Sequence, residues 1–276
     1  MDIVEVQKLI KKFRKGEEDR EKKIAKICLE AILKFSSSKE FEKVKEDIVF
    51  SLIALDPGNP LLFNFMKRIL KAKDIEKVKE IAKKGIEYIE IVPRKIAQYW
   101  RKILEDGNSV LIPNYSTNAR ELVLEASKNI ELEVTVCEGS PTYMGRKLAK
   151  ELSKSLKVTL IPDTAVNYVM PEIDVVLSGG LAITKFGLIG RVGTSMVALT
   201  AKWYKVPFYA LVETMKFSER IIIRELKLKN LPKNVIGRSP GYDLTRNEFI
   251  TAYVCEEGII KPKRFYPFAM SIVERW

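Results

Sequence analysis

The chain has 276 residues, 46% of them hydrophobic and 30% charged, with a formal net charge of +12, enough material for two modest domains around a substantial core. It contains no histidine and only three cysteines, Cys28, Cys137 and Cys255, with no CxxC pair among them. That composition excludes Ser-His-Asp and Cys-His catalysis, removes the commonest metal ligand, and argues against a disulfide framework or a structural zinc site, so neither metal nor cofactor is expected.

No apolar run approaches the ~20 residues of a membrane span, and the start, Met1-Asp2-Ile3-Val4-Glu5, has no leader pattern; a cytoplasmic protein is expected. The basic excess is evenly spread, with 23 basic and 17 acidic side chains in residues 1–100 and 25 and 19 in the rest. Mixed charge of this kind belongs to solvated helix faces, so direct nucleic-acid binding is not expected. The local clusters Lys11-Lys12-Phe13-Arg14-Lys15 and Lys261-Pro262-Lys263-Arg264 are read the same way.

From the N-terminus, Ile3, Val6, Leu9, Ile10 and Phe13 repeat at helical spacing, as do Ile24, Ile27, Cys28, Ala31, Ile32 and Phe35. Ser36-Ser37-Ser38 supplies a stop and an N-cap for a helix carrying Phe41, Val44, Ile48, Leu52 and Leu55 on one face. Asp56-Pro57-Gly58-Asn59-Pro60 is a turn, followed by helices over 60–72 and 74–90. Pro93 is expected to open another that runs to Glu105. From Asp106-Gly107-Asn108 the pattern changes. Strands are predicted at Ser109–Ile112, Glu133–Val136, Val158–Ile161, Val175–Leu177 and Phe208–Val212, with helices at 117–129, 142–155, 164–170 and 194–204. Such alternation implies a helical domain (1–105) followed by a Rossmann-like, doubly wound, mainly parallel α/β domain (106–276). Ligands then collect beyond the carboxyl ends of the strands. No GxGxxG follows the first strand, and Gly187–Thr194 is no P-loop.

Several strand-end segments, in order, resemble one family. They are Val110-Leu111-Ile112-Pro113-Asn114-Tyr115-Ser116, Val136-Cys137-Glu138-Gly139-Ser140-Pro141 with Gly145-Arg146, and Ile161-Pro162-Asp163-Thr164-Ala165-Val166. Asp174-Val175-Val176, Arg191-Val192-Gly193-Thr194, Pro207-Phe208-Tyr209 and Tyr242-Asp243-Leu244-Thr245 complete the series. The family holds the alpha, beta and delta regulatory subunits of translation initiation factor 2B, together with the methylthioribose-1-phosphate and ribose-1,5-bisphosphate isomerases. The resemblance covers roughly residues 108–260 and points to an archaeal, initiation factor 2B subunit-like protein.

It also implies where chemistry should lie. The isomerases carry a catalytic cysteine after the domain's first strand and an aspartate after the fourth; Asn114 and Gly180 stand there instead. Ser140 replaces a phosphate-gripping arginine, and Gly190-Arg191 replaces Asn-Lys. Arg146, Asp163, Arg191, Gly193 and Thr194 remain as candidate phosphate or ligand contacts. The alternatives are salt bridging and helix packing for the arginines and the Gly-Thr pair, and helix capping for Asp163. Cys137 reads as a core residue and Asp243 as a turn former.

With both proton-transfer groups missing, the expectation is a regulatory, protein-interaction role without isomerase turnover. The implied partners are a second copy of the chain and the alpha subunit of initiation factor 2. The alternative is a sugar-phosphate isomerase, or a protein binding a sugar phosphate or nucleotide, with a rearranged site. The apolar run Phe265–Met270 is either a dimer seam or a tail packed on its own domain.

Overall fold

The computed structural model describes residues 3–12, 19–38, 40–220, 223, 225–226, 228 and 231–276. Phe13, Arg14 and Lys15 of the first basic cluster lie outside the described residues.

Five helices come first: α1 (Ile3–Lys11), α2 (Arg20–Phe35), α3 (Phe41–Leu55), α4 (Pro60–Lys71) and α5 (Ile75–Ala97). Two expectations are corrected here. The serine run does not cap α3, which has no side-chain cap; Ser36 instead closes α2, donating its hydroxyl to the Leu33 carbonyl. Nor does Pro93 open a helix, because α5 runs through it to Ala97. Proline costs a helix one amide donor, but Val92, Pro93 and Ile96 are buried in the core, and that packing carries the helix past the lost bond.

The second half is built on a seven-stranded sheet. Its strands are β1 (Asn108–Ile112), β2 (Leu132–Cys137), β3 (Val158–Ile161), β4 (Val175–Gly179), β7 (Phe208–Leu211), β9 (Ala252–Cys255) and β10 (Gly258–Ile260). They lie in the order β10-β9-β7-β4-β1-β2-β3, all parallel except the edge strand β10. Val110, Leu111 and Ile112 are fully buried, as a central parallel strand covered on both faces requires. Helices α6 (Thr117–Ala126), α7 (Met144–Leu152), α8 (Val166–Val169) and α9 (Thr194–Trp203) supply crossovers, and α10 (Pro262–Arg275) ends the chain.

A small antiparallel sheet, β5 (Ala182–Thr184), β6 (Gly187–Arg191) and β8 (Tyr242–Arg246), stands beside the main one. It was not foreseen. The run Phe265–Met270 lies on α10 and packs on its own domain: Phe265 and Ala269 are buried, and Phe265 stacks on Tyr253 with centroids 4.1 Å apart. Trp276 meets Phe65 and Tyr88 edge to face, so the chain end binds the helical half to the sheet half. Among the described residues no helix is long and apolar enough to cross a membrane.

Candidate functional site

Strand order reverses between β1 and β4: from β1 the chain moves toward β2 and β3, from β4 toward β7 and β9. Such a switch point opens a crevice at the carboxyl ends of the two strands, and Asn114 and Gly180 sit at its mouth. Pro113 fixes the exit from β1, and three residues later Ser116 accepts from the Ala119 amide and starts α6. The strand ends close tightly. A Cβ on Gly179 would fall 2.5 Å from Ser116 Oγ, and one on Gly180 only 2.2 Å from Leu188 Cδ1. Leu188 is itself fully buried. A carboxylate at position 180 therefore has no space unless Leu188 moves.

Acid and base groups reach the crevice from elsewhere. The turn after β7 brings Glu213 and Lys216, and the start of α2 brings Asp19, Glu21 and Lys22. Lys216 Nζ donates to the Gly180 carbonyl at 2.9 Å and lies 3.2 Å from Glu213 and 3.4 Å from Glu21. Lys22 Nζ sits 2.5 Å from the other Glu213 oxygen and donates to Asn118 Oδ1. Two ammonium groups and two carboxylates thus alternate beneath the crevice, with side chains no more than 15% exposed.

Their ionisation follows from that contact. Burial works against the charge of Glu213, but Lys216 and Lys22 overcome it and hold the carboxyl well below its ordinary range. Glu21 is partly buried, which opposes its charge, but Lys216 and Arg191 bring it below its ordinary value. Burial opposes the charge on Lys216 too, yet Glu213, Glu21 and Asp19 keep it protonated beyond the usual lysine range. Taking four charges out of water is costly, and such a cluster is weak evidence for stability. In a crevice it is a candidate for chemistry.

Two polar atoms lining the same space have no partner, the Asn114 carbonyl oxygen and the Thr194 hydroxyl, although both residues are more than 90% buried. Buried polar atoms are almost always paired, so these two stand out among the groups around the crevice. Arg191 and Tyr242 complete the wall, the guanidinium 5.9 Å from the ring centre. The cavity within the crevice is about 40 Å³, room for a few water molecules. Asp19, Lys22 and Thr117 separate it from an open basic groove of about 340 Å³, and Thr117 ties that wall down by donating its hydroxyl to Asp19.

Of the residues singled out in sequence, Arg191 and Thr194 line the crevice, as do Asn114 and Gly180. Arg146 does not. It pairs with Glu138 at 2.6 Å and lies over the Tyr143 ring, exposed. The Asp163 carboxylate caps no helix; it accepts from the Gly139 and Ser140 amides. It thereby holds Gly139 in a left-handed turn against Asn114, where a Cβ would come 2.5 Å from the amide oxygen. Gly193 offers no free amide, because Asp243 accepts from it and from Ser195 at the start of α9. Burial pushes the Asp243 carboxyl up to about 6 despite those two donors. Cys137 is a core residue, its thiol pushed by burial to about 12. Among the described residues no three Cys, Asp or Glu side chains are grouped to hold a metal ion.

Sequence reasoning missed Asp19, Glu21, Lys22, Glu213, Lys216 and Tyr242. Glu213 and Lys216 were within reach of the strand-end rule, since they follow β7 directly. The α2 residues carried no such signal.

The Initiation factor 2 subunit family model matches residues 13–262. A ribose 1,5-bisphosphate isomerase of Archaeoglobus fulgidus is 30% identical, the match covering 95% of this chain and 91% of that protein. A putative translation initiation factor eIF-2B subunit 2-like protein of Pyrococcus furiosus is 28% identical over 87% of this chain and 91% of its own. The crystal structure of the Pyrococcus horikoshii translation initiation factor eIF-2B superposes with a TM-score of 0.81 at 23% identity, covering 95% of this chain and 98% of that one. The isomerase match over nearly the whole chain overturns the expectation of a regulatory subunit without turnover. The physical error lay in equating two missing side chains with missing chemistry, when Glu21 and Lys216 line the same crevice.

Proposed function

The chain belongs to the Initiation factor 2 subunit family, and on that premise we propose that it is an aldose–ketose isomerase acting on a phosphorylated ribose, with its proton-transfer groups relocated within the switch-point crevice. The observation that carries the proposal is the Glu21–Lys216 pair, 3.4 Å apart, in a chain 30% identical to a ribose 1,5-bisphosphate isomerase.

Isomerisation must open the ring, remove a proton from C2 and return one to C1. In this reading the Lys216 ammonium gives its proton to the ring oxygen as the C1–O bond breaks. The Glu21 carboxylate takes the C2 proton and delivers it to C1. The C2 hydroxyl proton passes to Lys216 as the C2 carbonyl forms, which restores both groups. Asn114 and Thr194 meet sugar hydroxyls with their unpaired oxygens, and Arg191 faces the phosphate.

The test is incubation with ribose 1,5-bisphosphate, ribose 1-phosphate and methylthioribose 1-phosphate while ketose is monitored. Turnover of ~1–1000 per second is expected on one of them, with a loss of ~100–10,000-fold in Glu21→Gln. No ketose from any of the three, with no stabilisation on adding them, defeats the reading.

The chain is proposed to act as a homodimer. Tyr168 on α8 and Met196, Leu199 and Trp203 on α9 form an exposed apolar face, with Tyr168 and Trp203 each more than 80% exposed. A patch of this kind marks an association surface. Trp203→Glu is expected to halve the mass seen in sedimentation; an unchanged mass removes this face from consideration.

A further inference from the structure

A second cavity, of about 220 Å³, lies between the start of α4 and the small sheet. Its volume falls between the ~150 Å³ that holds one benzene ring and the ~300 Å³ at which drug-sized sites begin. Pro60, Phe63, Leu181, Ile189 and Phe217 give it apolar walls. Asn64 also lines it, but its amide nitrogen is already spent on the carbonyls of Met215 and Phe217. What the floor lacks in polarity the rim supplies. Lys67 and Arg220 are both exposed there, and among the described residues neither has a carboxylate partner, although Glu219 shares the rim. The Arg220 guanidinium lies 5.8 Å from the centre of the Phe63 ring, which leaves its donors free for an anion.

We propose that this cavity is a ligand site separate from the crevice, taking a compact aromatic anion: one ring among the apolar walls, one carboxylate or phosphate between Lys67 and Arg220. The volume sets one ring, and the two cations against one carboxylate set the charge. The site also adjoins the crevice. Leu181 lines both spaces and follows Gly180, whose carbonyl holds Lys216; Phe217 follows Lys216 itself. An occupant pressing on Leu181 and Phe217 therefore bears on the ammonium from two sides, and bound ligand is expected to alter catalysis through the position of Lys216. The binding claim stands without the isomerase reading; only this last consequence rests on it.

Phenyl phosphate is the probe, its binding to the whole protein followed by calorimetry and by the fluorescence of the nearby aromatic residues. Saturable binding with one site per chain is expected. The affinity should fall at least tenfold in the Lys67→Gln, Arg220→Gln double variant, whose changes are on the surface and leave folding intact. It should fall comparably in Phe63→Ala and be unchanged in Glu21→Gln. Benzyl alcohol, with the ring but no charge, should bind at least tenfold more weakly. Failure of phenyl phosphate to saturate by about 10 mM, a binding free energy of about −2.7 kcal/mol, overturns the proposal. So does binding indifferent to the double variant, or binding displaced by millimolar inorganic phosphate and lost in Glu21→Gln, which places the probe in the crevice.

Discussion

Residues 213–217 are gripped from two sides by buried networks of opposite character. On the crevice side Glu213 and Lys216 join Glu21 and Lys22 in a cluster of four charges. On the other side Thr214 meets Glu256, whose carboxylate accepts from the Tyr88 hydroxyl at 2.5 Å and from the Thr214 hydroxyl and amide. Asn64 adds two bonds to the Met215 and Phe217 carbonyls. The second network contains one acid and no cation. Its donors are neutral, and they come from α4, α5 and the turn's own Thr214. The contrast separates two tasks: hydroxyls and amides fix where the turn sits, and on the proposed reading the charges on its other face are held for chemistry at a cost in desolvation.

The largest expected effect follows from removing the shared cation. Lys216→Met leaves Glu213 and Glu21 buried with less compensation, and a loss of about 3–5 kcal/mol is expected in urea denaturation, with turnover abolished. Next is Gly180→Asp, the change that would restore a carboxylate after β4. The side chain meets Leu188, so about 1–3 kcal/mol of stability should be lost. Combined with Asn114→Cys it should lower turnover rather than raise it, because misplaced groups lose rate steeply; turnover by that double variant above that of the unaltered protein would show that a cysteine and an aspartate can still meet the substrate there. Smaller still is Glu256→Gln, at about 1 kcal/mol, since an amide oxygen still accepts from Tyr88 and Thr214. If Glu256→Gln proves as damaging as Lys216→Met, the division between positioning and chemical networks fails.

Acidity sharpens the same contrast, because the two networks respond to pH in opposite directions. Glu213 lies below its ordinary value, near 2, with burial opposing and Lys216 and Lys22 outweighing it. Its contribution is present above the unfolded value of about 4.5 and is lost as pH falls toward about 2. Glu256 is raised by burial, which outweighs its hydrogen bonds. Its contribution is complete below about 4.5 and fades as pH rises through the folded value. Stability measured against pH should therefore lose its acid limb in part in Glu213→Gln, while Glu256→Gln should flatten the decline above pH 4.5. Identical profiles for the two variants would erase the distinction.

How much of this was legible in sequence depends on the range over which each feature is determined. β1, β4 and β7 are covered on both faces, so they appear as short apolar runs, and their order gave the parallel sheet and the crevice. Asn114 and Gly180 lie in the loops after β1 and β4 that the strand-end rule marks, but these two residues, like Arg191 and Thr194, were singled out by the family resemblance. The small sheet was hidden because Gly187-Leu188-Ile189-Gly190-Arg191 alternates poorly and its partner β8 lies some fifty residues on. The charge cluster was hidden more deeply. Asp19-Arg20-Glu21-Lys22-Lys23 has the look of any solvated helix start, and only a contact spanning 195 positions, Glu21 to Lys216, buries it. Local pattern cannot distinguish a charge at the surface from one carried inside by a distant turn.

The smallest effect tests the crevice most selectively. Thr194 is 1% exposed and its hydroxyl has no partner among the described residues, so the folded protein carries a desolvated donor that its own contacts do not repay. Thr194→Val removes that hydroxyl at nearly constant shape. An unsatisfied buried hydroxyl costs about 1–3 kcal/mol, part of which the variant recovers while filling the same volume. Stability should therefore rise by up to about 1 kcal/mol, whereas the affinity for a sugar phosphate, read by calorimetry, should fall about fivefold or more as one hydrogen bond is lost. A hydroxyl that was only a packing defect would give the first change without the second. A hydroxyl satisfied by a fixed internal water would give destabilisation instead, so the sign of the stability change alone separates a site awaiting its ligand from one already filled.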